Sequence, residues 1–423
     1  MVFGIMMLVA LGADARMARS QDTTRVRRDS LVEALRQIQA RIDALEHQAA
    51  DAAESGVHTR SGARMELTGR VLVQAFGNTR RVNNVDDPQF VRPDTSPGLP
   101  ARGGGMSMRQ SFIAFRVTSP DVAGAQFSGD VQTDFFGGQQ PSSGGRTFPL
   151  IRLRVARATL RWTKSELMVG QEVPLIAQVN PVSIAASGTP DFAAAGNLWL
   201  WLPQARLTIG GMAPKTAAIQ LAVLAPTNGD PAAAFDTDLD PAERSQRPYL
   251  EARIRYRWDM SERPGEIGCG GHLGWLAVSG SAGASATLVS SRAVACDLVA
   301  PMKLVELRSE AYVGQALRGL GGGGIGQSTS PANGAVRDVG GWAQLNVAPN
   351  PIWSFGAGLG VDDPNDNDIA PTGRLRNAAG AVYFITHPSG PLLMGFEIRR
   401  IATSYVGRKL VNDHFNLGFG FEF

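Results

Sequence analysis

Lysine is almost missing from this chain. Of its 41 basic residues only Lys164, Lys215, Lys303 and Lys409 are lysines, and the rest are arginines. Charge as a whole is thin, 19% against an average of roughly 25%. A formal net charge of +3 over 423 residues does not mark a nucleic-acid binder, and no nucleic-acid partner is expected. No run of 18 apolar residues exists, so no helix of this sequence spans a bilayer. The two cysteines form no C-x-x-C pair. The five histidines (His47, His58, His272, His387, His414) are scattered without an H-E-x-x-H motif. Zinc, redox and cofactor chemistry therefore have no motif to rest on. Glycine is abundant, 49 residues, but lacks the period of collagen, and 43% hydrophobic residues argue against disorder over the whole chain.

The N-terminus differs from the rest. Val2–Ala13 is an apolar run followed by small residues at Ala13–Ala15 and Ala18–Ser20, which predicts an export signal over 1–20, although a basic leading segment is missing. Leu31, Leu35, Ile38, Ile42, Leu45 and Ala49 are spaced 4-3-4-3-4, and Ser30 with Glu33 forms a capping box. This heptad seam predicts a short self-associating coil, the alternative being an amphipathic helix packed on its own domain. With the polar stretch 51–64 it makes a periplasmic coil-and-linker region, 21–64.

From Met65 to Phe423 helical periodicity disappears. Polar and apolar residues alternate: Gln126, Ser128, Asp130, Gln132 and Asp134 against Phe127, Val131 and Phe135; Arg253, Arg255 and Arg257 against Ile254, Tyr256 and Trp258. Sixteen such strands can be drawn. Their connections alternate between short turns, such as Ser119–Asp121, Pro264–Gly265 and Pro349–Pro351, and long loops, such as 77–107, 173–203, 316–338 and 402–411. Short turns at one rim and long loops at the other describe an all-β transmembrane barrel of the outer membrane, 65–423. The end of the chain is its sharpest local signal. Phe415, Leu417, Phe419, Phe421 and Phe423 alternate with Asn416, Gly418, Gly420 and Glu422, an aromatic lipid face on a closing strand.

With lipid outside, the polar faces point into the lumen. Arginines gather there in two groups: Arg152, Arg154, Arg157 and Arg161, and then Arg253, Arg255 and Arg257, with Arg206 between them. The parity change between Arg154 and Arg157 predicts a bulge, or a first pair lying above the membrane. Acidic residues fall mainly on other strands, which predicts either a segregated field that favours anions or a solvated wall whose arginines pair locally. The loop 173–203 is apolar, with Asp191 its only charge, and is expected to fold inward as a constriction. The glycine run Gly321–Gly324 lacks the Lys-Ser/Thr of a phosphate loop and reads as flexible. The midpoint of Cys269 and Cys296 falls close to the turn expected at 281–288. They are therefore expected to lie opposite each other, facing outward, as a disulfide or as two unpaired small residues.

The stretch Gly129-Asp130 through Asp134-Phe-Phe-Gly137, then Arg152-Leu-Arg154, Leu167-Met-Val-Gly170-Gln171 and Pro203-Gln-Ala-Arg206, resembles DcaP-like trimeric outer-membrane porins in order and spacing. The resemblance implies a homotrimer in outer-membrane lipid that passes small hydrophilic, often anionic solutes. It implies a basic constriction to which Arg152, Arg154 and Arg206 correspond. It involves no catalytic residue, metal or cofactor. Two rivals remain: a tether between outer membrane and cell wall, and a barrel hydrolase, for which His414 has no evident nucleophile.

Overall fold

The computed structural model describes residues 57–58 and 63–423, apart from 95–97, 99, 138–148, 186–187, 212–214, 230–238, 260–262, 279–286 and 333. The expected leader and coil lie outside the described residues. Residues 59–423 form one compact unit. Its wall strands are β1 Arg64–Asn78, β2 Phe112–Val122, β3 Ala125–Gly137, β4 Leu150–Arg161, β5 Ser165–Glu172, β6 Leu202–Gly210, β7 Ala217–Leu224, β8 Tyr249–Asp259, β9 Pro264–Val278, β10 Thr287–Pro301, β11 Val305–Gln315, β12 Arg337–Asn350, β13 Trp353–Pro364, β14 Arg376–Thr386, β15 Leu392–Tyr405 and β16 Arg408–Glu422. A short segment, Gly103–Ser107, continues the line of β2 along β1. Each strand pairs antiparallel with the next, and β16 pairs with β1, so sixteen strands close a ring. Gly69 N–H donates to Phe423 O at 2.8 Å and Phe423 N–H to Gly69 O at 3.1 Å, sealing the seam to the last residue.

The polarity of the barrel is inverted relative to a soluble protein. Gln74, Asp134, Gln220, Glu251, Asp297, Gln344, Glu397 and Asn416 are buried, while Ile254, Val294, Leu359, Leu417 and Phe419 are exposed. Period-two alternation makes both facts one: each strand sends its polar residues inward and its apolar ones outward. At the short-turn rim the outer face carries an aromatic belt. Trp353 and Phe384 stack at 5.2 Å, Tyr256 and Trp258 at 6.3 Å, and Phe421 lies 6.1 Å from Phe423. Such belts sit at membrane interfaces.

The turns differ in detail from expectation. Ser119 to Asp121 remain within β2, and the turn is Ala123-Gly124, both with positive φ (54° and 70°). That is the hairpin conformation whose twist matches the strands. Pro264 and Gly265 open β9 instead of forming the turn. The long connection expected at 402–411 is only Val406-Gly407, because Tyr405 pairs directly with Arg408 and Gly407 takes a φ of 70°.

Cys269 and Cys296 are direct cross-strand partners, with Cα atoms 4.1 Å apart, and form a disulfide on the outer face of β9 and β10. Alkylation under denaturing, non-reducing conditions is expected to label no thiol, and two thiols per chain after reduction. Labelling without reduction would contradict the bond.

Candidate functional site

Strand register decides what the lumen arginines meet. Arg152 lies opposite Asp134, and its Nη2 donates to Asp134 Oδ2 at 2.6 Å. The pairing slips between Gln132 and Thr133, leaving Arg154 as the extra residue of a bulge in β4. Arg154 therefore faces the same Asp134, at 3.6 Å, and Arg157 falls opposite Asp130, at 3.1 Å. Arg157 also pairs with Glu172, and Arg161 with Glu166 at 2.6 Å. The guanidiniums of Arg152 and Arg154 lie over the Trp201 ring at 5.1 and 4.8 Å, a cation–π arrangement.

On β8, Arg253 binds Asp297 at 2.5 Å and Glu266 at 3.0 Å, and Arg255 and Arg257 reach the same Glu266 at 3.3 and 2.6 Å. Arg206 is different. It is buried and donates to Gln178 Oε1, Gln204 Oε1 and the Val173 carbonyl, each at 2.9 Å, with no carboxylate in contact among the described residues. Of the two expected arrangements, the local pairing of arginines with carboxylates is the one seen. Asp130, Asp134 and Glu166 sit on strands flanking β4, and Glu266 and Asp297 lie within two strands of β8. In the β8 group three guanidiniums share two carboxylates, so the basic surplus is small.

Three connections fold into the barrel from the long-loop side. Segment 173–201 spans it. Leu175 N–H donates to Glu251 at 2.5 Å, Val182 N–H to Gln344 at 2.7 Å and Leu198 N–H to Glu310 at 3.0 Å, while its Ala194 carbonyl accepts from Asn377 at 2.7 Å. These anchors lie on β8, β12, β11 and β14. Its apolar residues Leu175, Ile176 and Leu198 pack with Leu276, Tyr312 and Leu320, so an apolar loop has an apolar place inside the wall. Segment 79–111 is held by Val91 N–H donating to Thr403 Oγ1 at 2.9 Å and by the Tyr405 hydroxyl donating to the Val91 carbonyl at 2.7 Å. The glycine loop is docked rather than free: Gly324 N–H donates to Asp338 at 2.7 Å and Ile325 N–H to Asp362 at 2.9 Å. Gly324 adopts a φ of 68° in that turn.

Arg399 joins two of these segments to the wall. Its buried guanidinium meets Asp87 of the first segment at 3.3 Å, Asp191 of the second, and Glu397 of its own strand at 2.9 Å. Asp191 is thus turned to the wall and fully buried. Burial pushes the Asp87 carboxyl up to about 7 against the pull of Arg399, and burial also holds Asp191 well above the usual carboxylate range.

One constellation escaped sequence reasoning. His272 Nδ1 lies 2.9 Å from Glu251 Oε1, and its Nε2 lies 3.1 Å from Ser291 Oγ, the order of a hydrolytic relay. Parity on β8, β9 and β10 was its only trace. Ser291 is 1% exposed and donates to the Ala316 carbonyl at 3.0 Å. Glu251 Oε2 is taken by Leu175 and Ile176 N–H. A nucleophile must be reachable, and this one is enclosed. The three side chains brace two inward connections against the wall. His414, by contrast, meets Asn78 Oδ1 at 3.1 Å and no serine.

No protein-family model and no curated protein matches the chain. Solved structures do. The outer membrane channel DcaP of Acinetobacter baumannii is similar at a TM-score of 0.65 and 15% identity, over 87% of this chain and 99% of that one. An anion-selective porin from Comamonas acidovorans is similar at 0.56 and 10%, over 85% and 100%. Pseudomonas putida OprB, in a high-pH structure, is similar at 0.54 and 12%, over 85% and 94%. At these identities the likeness is one of fold.

Arg399→Ala is expected to leave buried carboxylates without their cation, at a cost of about 3–5 kcal/mol. Hydrogen exchange should accelerate in both 79–111 and 173–201 while strand amides stay protected. Unchanged exchange in either segment would remove Arg399 as their common anchor.

Proposed function

We propose that this protein is a porin of the bacterial outer membrane, passing small hydrophilic solutes by diffusion. The observation that carries the proposal is a closed, inside-out barrel whose lumen wall is charged and, toward the short-turn rim, still solvated. Arg116, Arg161 and Arg263 keep more than half of their side-chain surface exposed there. Diffusion needs no bond chemistry, and the enclosed Ser291 gives a hydrolase reading no substrate access. A tether needs no charged, solvated lumen.

Selectivity follows from the pairing. Arg253, Arg255 and Arg257 are largely neutralised by Glu266 and Asp297. Surplus positive charge lies at Arg154, which shares Asp134 with Arg152, and at Arg206, which has neutral partners, with one further charge spread over the β8 group. We assign these residues, with the loop 173–201 facing them, as the anion-preferring part of the path. Planar-bilayer recordings should show open channels with a modest anion preference in a salt gradient. Arg154→Gln with Arg206→Gln should reduce that preference, leaving conductance within roughly two-fold, because the bilayer-facing wall is untouched. Absence of conductance would overturn the porin reading, and cation preference in the native protein would overturn the assignment of the path.

The heptad seam of 31–49 supports self-association through a periplasmic coil, and the DcaP-like resemblance supports three as the number of copies. Deleting residues 21–60 is expected to leave a barrel that still inserts, since Gly69–Phe423 closure is retained, but oligomers less resistant to heat in detergent. Equal heat resistance would remove the coil from assembly.

A further inference from the structure

The outer face carries polar residues where a lipid-facing wall should be apolar. Arg292 on β10, Gln315 on β11 and Arg337 on β12 are successive cross-strand partners. They form one row about 10 Å long, given strand spacings of ~4.8 Å. The row lies near the ends of these strands that lead into the long connections, opposite the aromatic belt. All three share the outward parity of Val294, Val313 and Val339, which form the next row toward the belt and are 58%, 55% and 56% exposed. Arg337 is itself 59% exposed, and its guanidinium makes a two-bond pair with Asp368 of the connection after β13, at 2.8 and 3.0 Å, so of the two arginines Arg292 carries the uncompensated charge. Among the described residues Arg292 has no carboxylate in contact. Asp363, the acid at the flank, is 3.9 Å from Arg376.

A hollow of ≈ 490 Å³ runs between Arg292, Arg337 and Asn365 and opens onto the valines, with Asp363, the cross-strand partner of Val339, on its far wall. Directly below, the row Cys296, Ala311, Gly341 has short side chains, and a second hollow of ≈ 520 Å³ continues the first toward the belt. The outer wall thus holds a slot with a cationic head and an apolar floor.

We infer that this slot binds a phosphate-bearing glycolipid of the outer leaflet, of the lipid A type. The phosphate lies on Arg292 and Arg337 and one acyl chain lies along the valine row and the small-residue floor. The chemistry is mutual. Exposed guanidiniums at headgroup depth need anions, and Arg binds phosphate through paired N–H donors. A chain needs a channel where side chains are short. The inference rests on the outer-membrane placement proposed above, but not on conduction.

The test is native mass spectrometry of the full-length protein in mild detergent, titrated with diphosphoryl lipid A, dephosphorylated lipid A or phosphatidylglycerol. The native protein should retain diphosphoryl lipid A in preference to both others. Arg292→Gln with Arg337→Gln should weaken that binding roughly ten-fold, the loss of two charge-assisted contacts. Gly341→Leu, which fills the floor and leaves the arginines intact, should also weaken it. Indifference to phosphate, unchanged binding by both variants, or lipid carried only by monomers because a second copy covers this face would each overturn the inference. Conductance of the same variants separates the two proposals: channels that open normally without lipid preference fail this one alone.

Discussion

Everything in this molecule depends on the closure of β16 onto β1. In hydrocarbon an unpaired N–H or C=O costs several kcal/mol, so a sheet can stand there only if it has no edge. Phe423 meets this with its own N–H and C=O, both spent on Gly69. The alternation of the last strand then leaves its aromatic residues no choice but the outer face. Polar residues on the same strands must go inward, and charge in the lumen is a consequence of closure before it is a device for solutes.

Once sixteen strands share one ring, register settles the electrostatics. Arg157 meets Asp130 because the β3–β4 hairpin sets those positions opposite, and the bulge at Arg154 lets Arg152 meet Asp134 as well. The same logic brings Glu251, His272 and Ser291 together on three neighbouring strands, where they hold connections rather than perform chemistry. A charge-rich wall of this kind is nearly neutral locally, so selectivity can rest only on the few sites where pairing is incomplete.

How far the sequence could be read follows from the range of each interaction. Strand number, inward and outward faces, and the Cys269–Cys296 pairing rest on period two and on the constant sum of an antiparallel hairpin, both local rules. The partners of Arg253 were not legible, because Asp297 lies two strands away and needs two registers at once. Arg399 joins residues from positions 87, 191 and 397, and no periodicity links such distances. The turn at Val406-Gly407 was misjudged for a smaller reason: the alternation of β15 and β16 runs on past the membrane zone, and a polar strand end looks like a loop.

The scarcity of lysine now has a physical account. Sites such as Arg253 and Arg399 must satisfy two or three carboxylates at once while largely cut off from water. A planar guanidinium has five N–H donors at fixed directions and is more weakly hydrated than an ammonium, so it can be desolvated between several acids and remain charged. Arg253 uses this fork on Asp297, Glu266 and Gln220 together. An ammonium at the same place would be a single point of charge with a larger desolvation cost. It would hold one carboxylate and leave the others to repel. The inward segment 173–201 is apolar enough to fill the barrel, and it and the charged segment 79–111 are fixed in place through Arg399. The shape of the path through this protein is therefore set by arginine geometry as much as by the ring that encloses it.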